Sequence, residues 1–128
     1  MRSLARESVF KYLFSRLFNP SDEGLFDVLI KDLKDNDKEF AKSLLKCVLD
    51  NEENYINTIE ELSFGYSLDR IHKADKCIML MGFAELDNFK ETDVPVVVDE
   101  AVKLATIYCT ERSTDFINGI LAEYVRRG

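Results

Sequence analysis

The side chains that most often do covalent or acid-base chemistry are sparse in this chain and badly spaced for it. His72 is the only histidine among 128 residues, so neither a histidine metal cluster nor a Cys-His pair oriented by a second histidine can be assembled. The three cysteines, Cys47, Cys77 and Cys109, are isolated and odd in number, and their spacing fits no zinc pattern. Each sits in an apolar periodic segment and reads as a small buried hydrophobe in a reducing compartment, not as part of a disulfide framework. Paired acids occur at Glu52-Glu53 and Glu60-Glu61. Acid-base catalysis would need them to converge in a cleft, whereas the solvated face of a long helix accounts for them without one. The five glycines are scattered and form neither GxGxxG nor GxxxxGK, so no phosphate loop is read. Catalysis, metal and cofactor have no support in these residues, and binding is the chemistry to look for.

Two places suggest binding. Arg2 and Arg6 are four apart, so on a helix they share a face at its first turn, where the macrodipole disfavours cations. That placement suits an anion-binding end; the alternative is two solvated arginines. Near the other end of the sequence stands Phe116-Ile117-Asn118-Gly119-Ile120-Leu121. Glycine inside a helix costs about 1 kcal/mol relative to alanine, so Gly119 is expected at a close helix contact, with Asn118 hydrogen-bonding a neighbouring backbone. Phe116 has two readings: a core aromatic by its periodicity, or an exposed ring able to stack on an RNA base near a helix start. A net charge of −7 repels a polyanion overall, so any RNA site must be a local basic patch.

The elements that must position these residues are helical. At 128 residues with 46% hydrophobic content, one unit with a sizeable core is expected, and no Ser-, Gly- or Pro-rich tract marks a linker. Ala5, Val9, Phe10, Leu13, Phe14 and Leu17 form one face of a first helix, which Asn19-Pro20-Ser21 stops. Ser21 can cap a second, with Asp22 and Glu23 in its first turn, running to about Asp35. From Asp37 the spacing holds nearly to Gly65, a helix on the order of 25 residues and 40 Å, whose polar midsection Asp50 to Asn54 is a place to bend or break. Gly65 is the clear internal boundary, after which Ser67 can cap a fourth helix through Ile71, Ala74, Ile78, Met81 and Leu86. Between Cys77 and Ala84 that helix is apolar all round, as suits a central element. Pro95 opens a fifth helix, and Ser113 can cap a sixth. The Val96-Val97-Val98 run has strand propensity but no second strand to pair with. The architecture this predicts is all-α, with two packed three-helix subdomains, about 1–64 and about 65–128. No stretch approaches the roughly 18 apolar residues of a membrane span, and the start of the chain has no apolar signal core, so a cytoplasmic location is expected.

Three separated motifs resemble the NusB family of bacterial transcription antitermination factors. They are Arg2-Ser3-Leu4-Ala5-Arg6-Glu7-Ser8 with Leu13-Phe14; Tyr66-Ser67-Leu68-Asp69-Arg70-Ile71 with Asp75-Lys76 and Glu85-Leu86; and Val98-Asp99-Glu100-Ala101-Val102-Lys103-Leu104-Ala105 with Phe116 to Leu121. The third is the most specific, and their order spans nearly the whole chain. The resemblance implies a NusB-like bundle of two helical subdomains that binds the boxA element of ribosomal RNA leaders together with the small-subunit ribosomal protein NusE and joins the elongating RNA polymerase complex, without catalysis. It implies RNA contacts at Arg2, Arg6, Arg112 and Phe116, protein-partner contacts at Phe14 and Asp75, and structural roles for Glu100, Asn118 and Gly119. Some NusB-like proteins also self-associate as homodimers. The chain departs from the family pattern in having fewer N-terminal arginines, Leu80 where an arginine is common, Tyr66 for a tryptophan, and Arg112 where an acid is frequent. Leu80 is expected to remove a polar contact from a partner surface. Two alternatives follow: a NusB-like interaction module with weakened RNA binding, or the RNA-binding-like domain related to ribosomal RNA cytosine methyltransferases.

Overall fold

Apolar residues three and four apart put one stripe on each helix, and burying six such stripes against one another generates the architecture. A computed structural model describes residues 2–20, 22, 24–63 and 71–128. It contains α1 (Arg2–Arg16), α2 (Leu25–Ile30), α3 (Asp35–Leu62), α4 (Lys73–Asn88), α5 (Val94–Tyr108) and α6 (Glu111–Arg127), with no strand among the described residues. The expected caps Ser21 and Ser67, the first-turn Glu23, the Gly65 boundary and the Tyr66-to-Arg70 part of the central motif lie outside the described residues.

Helix α3 is the longest, 28 residues, and runs unbroken through the polar Asp50–Asn54 stretch. Helix α2 is shorter than expected: it ends at Ile30, where hydrogen bonds from Lys31 to Val28 and from Leu33 to Ile30 tighten the chain into turns, and Lys34 is already extended ahead of α3. Helix α6 begins at Glu111 after Thr110, so Ser113 is not its cap but a buried residue inside its first turn. Ile71 likewise precedes α4 and is not part of it. The Val96-Val97-Val98 run is helical, with Pro95 in the first turn of α5, where its missing N–H costs nothing.

Helix α4 is the axis of the molecule, packed against α1, α3, α5 and α6. All nine residues from Cys77 to Glu85 are buried. Leu80 is 1% exposed, so it is a core residue and not a feature of a partner surface. The close helix contact expected at Gly119 is at Gly82 instead. A Cβ built on Gly82 would lie 2.7 Å from Leu121 Cδ2, whereas one on Gly119 meets nothing within 4 Å. Gly119 and Asn118 both face solvent, and Asn118 makes no side-chain hydrogen bond among the described residues. No helix among them is long and apolar enough to cross a membrane.

The pairings fix direction. Asp75 meets Ser113, Gly82 meets Leu121 and Asp87 meets Tyr124, so α6 runs parallel to α4. Arg6 meets Glu85, and Phe18, just past the end of α1, meets Lys73, so α1 runs antiparallel to it. One hydrophobic core joins residues of all six helices.

Candidate nucleic-acid interface

The two arginines of α1 have different surroundings. Arg6 lies on the stripe that continues through Phe10 and Leu13, and it is 5% exposed. Its Nε and Nη2 donate to Glu85 Oε1 and Oε2 at 2.8 and 2.5 Å, and its Nη1 donates to Glu100 Oε1 at 3.0 Å. Ser3 Oγ donates to the same Glu100 oxygen, and Lys103 Nζ lies 3.3 Å from the other. Burial pulls the Arg6 guanidinium down, but hydrogen bonding and attraction from Glu85 and then Glu100 leave it above its usual value. Burial pushes the Glu100 carboxyl up; donors from Ser3 and Lys103, with the Arg6 charge, bring it net below its usual range. Two carboxylates are thus matched by two cations, and Arg6, expected on an anion-binding face, is committed to the interior. Glu100 takes its structural place in this cluster.

Arg2 remains at the surface. Its Nη1 donates to Thr92 Oγ1 at 3.2 Å and sits 3.6 Å from Glu91, with the guanidinium 4.4 Å above the Phe40 ring. These exposed contacts hold the cation in place while leaving it in water.

Arg112 and Phe116 lie at the other end of α4, a 16-residue helix about 24 Å long, so they do not form one compact patch with Arg2. There Asp75 is buried, 5% exposed, in the first turn of α4. Its Oδ2 accepts from Ser113 Oγ at 2.9 Å, and Ser113 and Thr110 share a hydrogen bond of 3.2 Å. Among the described residues no nitrogen or oxygen donor meets its Oδ1. Burial, then a hydrogen bond to Asp75 and the charge of that carboxylate, push the Cys109 thiol up to about 12. A cavity of about 340 Å³ opens here, lined by Ile71, His72, Asp75, Thr110, Arg112, Ser113 and Phe116. Arg112 is exposed at its rim, and Phe116 is half-buried, packed on the core with part of its ring lining the cavity. Asp75, expected at a protein contact, therefore faces this cavity and not the open surface.

Phe14 is half-buried, stacked on Phe10 at 5.8 Å and edge-on to Phe18 at 5.2 Å. Phe18 is 63% exposed and lies under Lys73 Nζ at 4.9 Å, beside a shallow apolar hollow that Phe14, Ile71 and Ala74 also line. Among the described residues no group of three His, Cys, Asp or Glu is arranged to hold a metal ion. Glu85, named above only within a motif, and Ser113, named only as a cap, are buried polar partners whose roles spacing alone did not give. The signal for Glu85 was a lone acid ending an apolar run, and for Arg6 its place on the Phe10-Leu13 stripe.

Residues 3–126 match the model of the NusB family. The transcription antitermination protein NusB of Alkaliphilus oremlandii is 33% identical over 132 residues, covering 98% of this chain and 94% of that protein. That of Acetivibrio thermocellus is 39% identical over 95 residues, covering 74% of this chain and 66% of that protein. A chain in a crystal structure of antitermination factors NusB and NusE in complex with dsRNA superposes with a TM-score of 0.87 at 26% identity, covering 99% of this chain and 97% of that one.

Proposed function

The chain belongs to the NusB family, and from that premise we propose that it is a transcription antitermination adaptor that binds RNA jointly with a NusE-type ribosomal protein. The observation that carries this reading is the extent of the likeness. The family model takes in residues 3–126, and the whole bundle superposes on a chain from the NusB–NusE–dsRNA assembly. The RNA is the boxA element of ribosomal RNA leaders, and the loaded complex joins elongating RNA polymerase; the free chain can also pair as a homodimer. The protein contributes binding surface and no bond-breaking step.

Arg2, Arg112 and Phe116 are the residues assigned to RNA, with Arg2 and Arg112 meeting phosphates and Phe116 offering ring surface to a base. Arg6 serves the same surface indirectly, by fixing the turn of α1 that carries Arg2. Phe14 and the exposed Phe18 are assigned to the protein partner. Because the net charge is −7 and only two of these residues are exposed cations, binding by this chain alone is weak and salt-sensitive, and a basic partner supplies the remaining phosphate contacts.

A gel shift with boxA RNA, with and without NusE and at several salt concentrations, tests the reading. Weak binary and tight ternary binding are expected, and absence of a ternary complex overturns it. Burial of Arg6 favours one second reading, an interaction module with weakened RNA binding. That reading expects NusE to bind as tightly without RNA as with it.

A further inference from the structure

Phe40, in the second turn of α3, carries two arginines on one ring. It is 4% exposed, and its centroid lies 4.4 Å from the Arg2 guanidinium carbon and 5.2 Å from that of Arg6. Phe89, just past the end of α4, meets the same ring edge-on at 5.0 Å. Burial and this aromatic contact fix the ring, so the guanidinium resting on it has a rigid support.

A long side chain in the first turn of a helix, 42% exposed as Arg2 is, ordinarily samples many rotamers, and a ligand that immobilises it pays for that freedom. Three contacts from outside α1 restrict Arg2 before any ligand arrives. The Phe40 ring lies against the guanidinium, Thr92 Oγ1 accepts from Nη1 at 3.2 Å, and Glu91 stands 3.6 Å from the same nitrogen. One comes from α3 and two from the turn between α4 and α5, so the tertiary fold sets where this cation points.

What is left over defines the ligand. Nη1 is engaged, whereas Nε and Nη2 make no hydrogen bond among the described residues. Those two groups form the side of the guanidinium fork that matches a pair of oxygens on one phosphate. We propose that Phe40 is a positioning residue for RNA: with Thr92 it holds the Arg2 guanidinium ordered in advance, its Nε and Nη2 edge presented to a backbone phosphate. The inference rests on the RNA-binding reading above and adds to it a residue that none of the three motifs contains. Phe40 touches no RNA itself and acts through Arg2. In a chain of net charge −7 with few exposed cations at its interface, each cation gains from being ordered beforehand.

A double-mutant cycle tests this, read as the affinity of the complex of this chain with NusE for boxA RNA. Arg2→Ala should weaken binding and reduce the magnitude of the logarithmic salt slope by roughly 0.7. Phe40→Leu keeps an apolar side chain in the core and removes the ring face. It should weaken binding roughly two- to tenfold, the effect of ordering one long side chain on binding, with the salt slope unchanged because the phosphate contact is still made. In the Arg2→Ala background the same substitution should leave affinity as it is. Equal weakening in both backgrounds means that Phe40 acts through the fold at large and overturns the inference, as does weakening in neither. An Arg2→Ala variant with wild-type affinity and slope also overturns it and leaves joint RNA binding standing. A wild type that forms no RNA complex with NusE present defeats the broader reading and the inference with it. Should Phe40→Leu fail to fold, Thr92→Val takes its place in the cycle, with a loss of roughly twofold that vanishes in Arg2→Ala; a loss that persists there, or none at all, overturns the inference. The protein free of RNA offers a separate readout. The Arg2 Hε resonance should lie upfield of the usual arginine range, shielded by the Phe40 ring, and return to that range in Phe40→Leu; an unshifted resonance in the wild type shows that the guanidinium is not held there and overturns the inference.

Discussion

The two ends of α4 each bury a carboxylate, and they treat it in opposite ways. Glu85, 3% exposed, is met by both nitrogens of one guanidinium face, and that guanidinium is in turn shared with Glu100. Asp75, 5% exposed, is met by no cation among the described residues, only by the Ser113 hydroxyl and the Cys109 thiol, beside a cavity and an exposed arginine. Burying a carboxylate is expensive in both places; the first end repays it with a guanidinium and the second with neutral donors. The difference separates two uses of the same chemistry: at the closed end an ion-pair cluster holds helices in register, and at the open end hydrogen bonds to a hydroxyl and a thiol tie the starts of α4 and α6 together.

The sharpest way to break this contrast is Arg6→Met. It leaves Glu85 and Glu100 buried without their cation and is expected to cost about 3 to 5 kcal/mol in denaturant unfolding, while Asp75→Asn costs far less. Equal losses would mean that the two ends are not different in kind. Next in size is Phe116→Ala, expected to weaken the ternary RNA complex by about 1 to 3 kcal/mol at every salt concentration without changing the salt slope. If the variant unfolds instead, Phe116 belongs to the core.

Acid probes the closed end. The Glu100 carboxyl is held below 4.5 in the folded protein, so its contribution to stability is fully present above 4.5 and is lost as pH falls through the lower folded value. Unfolding midpoints followed downward from neutral pH should therefore fall less steeply below 4.5 in Glu100→Gln than in the wild type, and parallel curves would show that the cluster does not couple to protons. At the open end, Arg112→Ala should reduce the magnitude of the logarithmic salt slope of RNA binding by roughly 0.7, the loss of one phosphate contact. An unchanged slope would remove Arg112 from the interface. The smallest effect separates the glycines: Gly119→Ala should stabilise α6 by up to about 1 kcal/mol. Gly82→Ala should not, because its new methyl meets Leu121.

Helix number, the length of α3 and the centrality of α4 were legible because each is a property of local spacing, which the apolar stripes carry directly. Helix starts were less so: Thr110 and Ser113 are both plausible caps, and only the position of Asp75 decides that Ser113 turns inward. Arg6 was legible as a cation on a first turn but not as a buried one, since its partners stand 79 and 94 residues away and no window of sequence joins them. Gly119 and Gly82 look alike as helical glycines. Which of them touches another helix depends on how α6 lies along α4, and periodicity does not contain that.

The arginine cluster also sets a schedule. The groups that satisfy Arg6 are made late, since 94 residues separate it from Glu100. At a synthesis rate of roughly 5 to 20 residues per second, that interval is on the order of 5 to 20 s. For most of it, α1 can meet α2 and α3 but has neither carboxylate and no finished α4 to cover its stripe. The earliest part of the chain is therefore among the last to be locked, and its basic, half-covered first helix stays open to other molecules for seconds before the bundle closes on it.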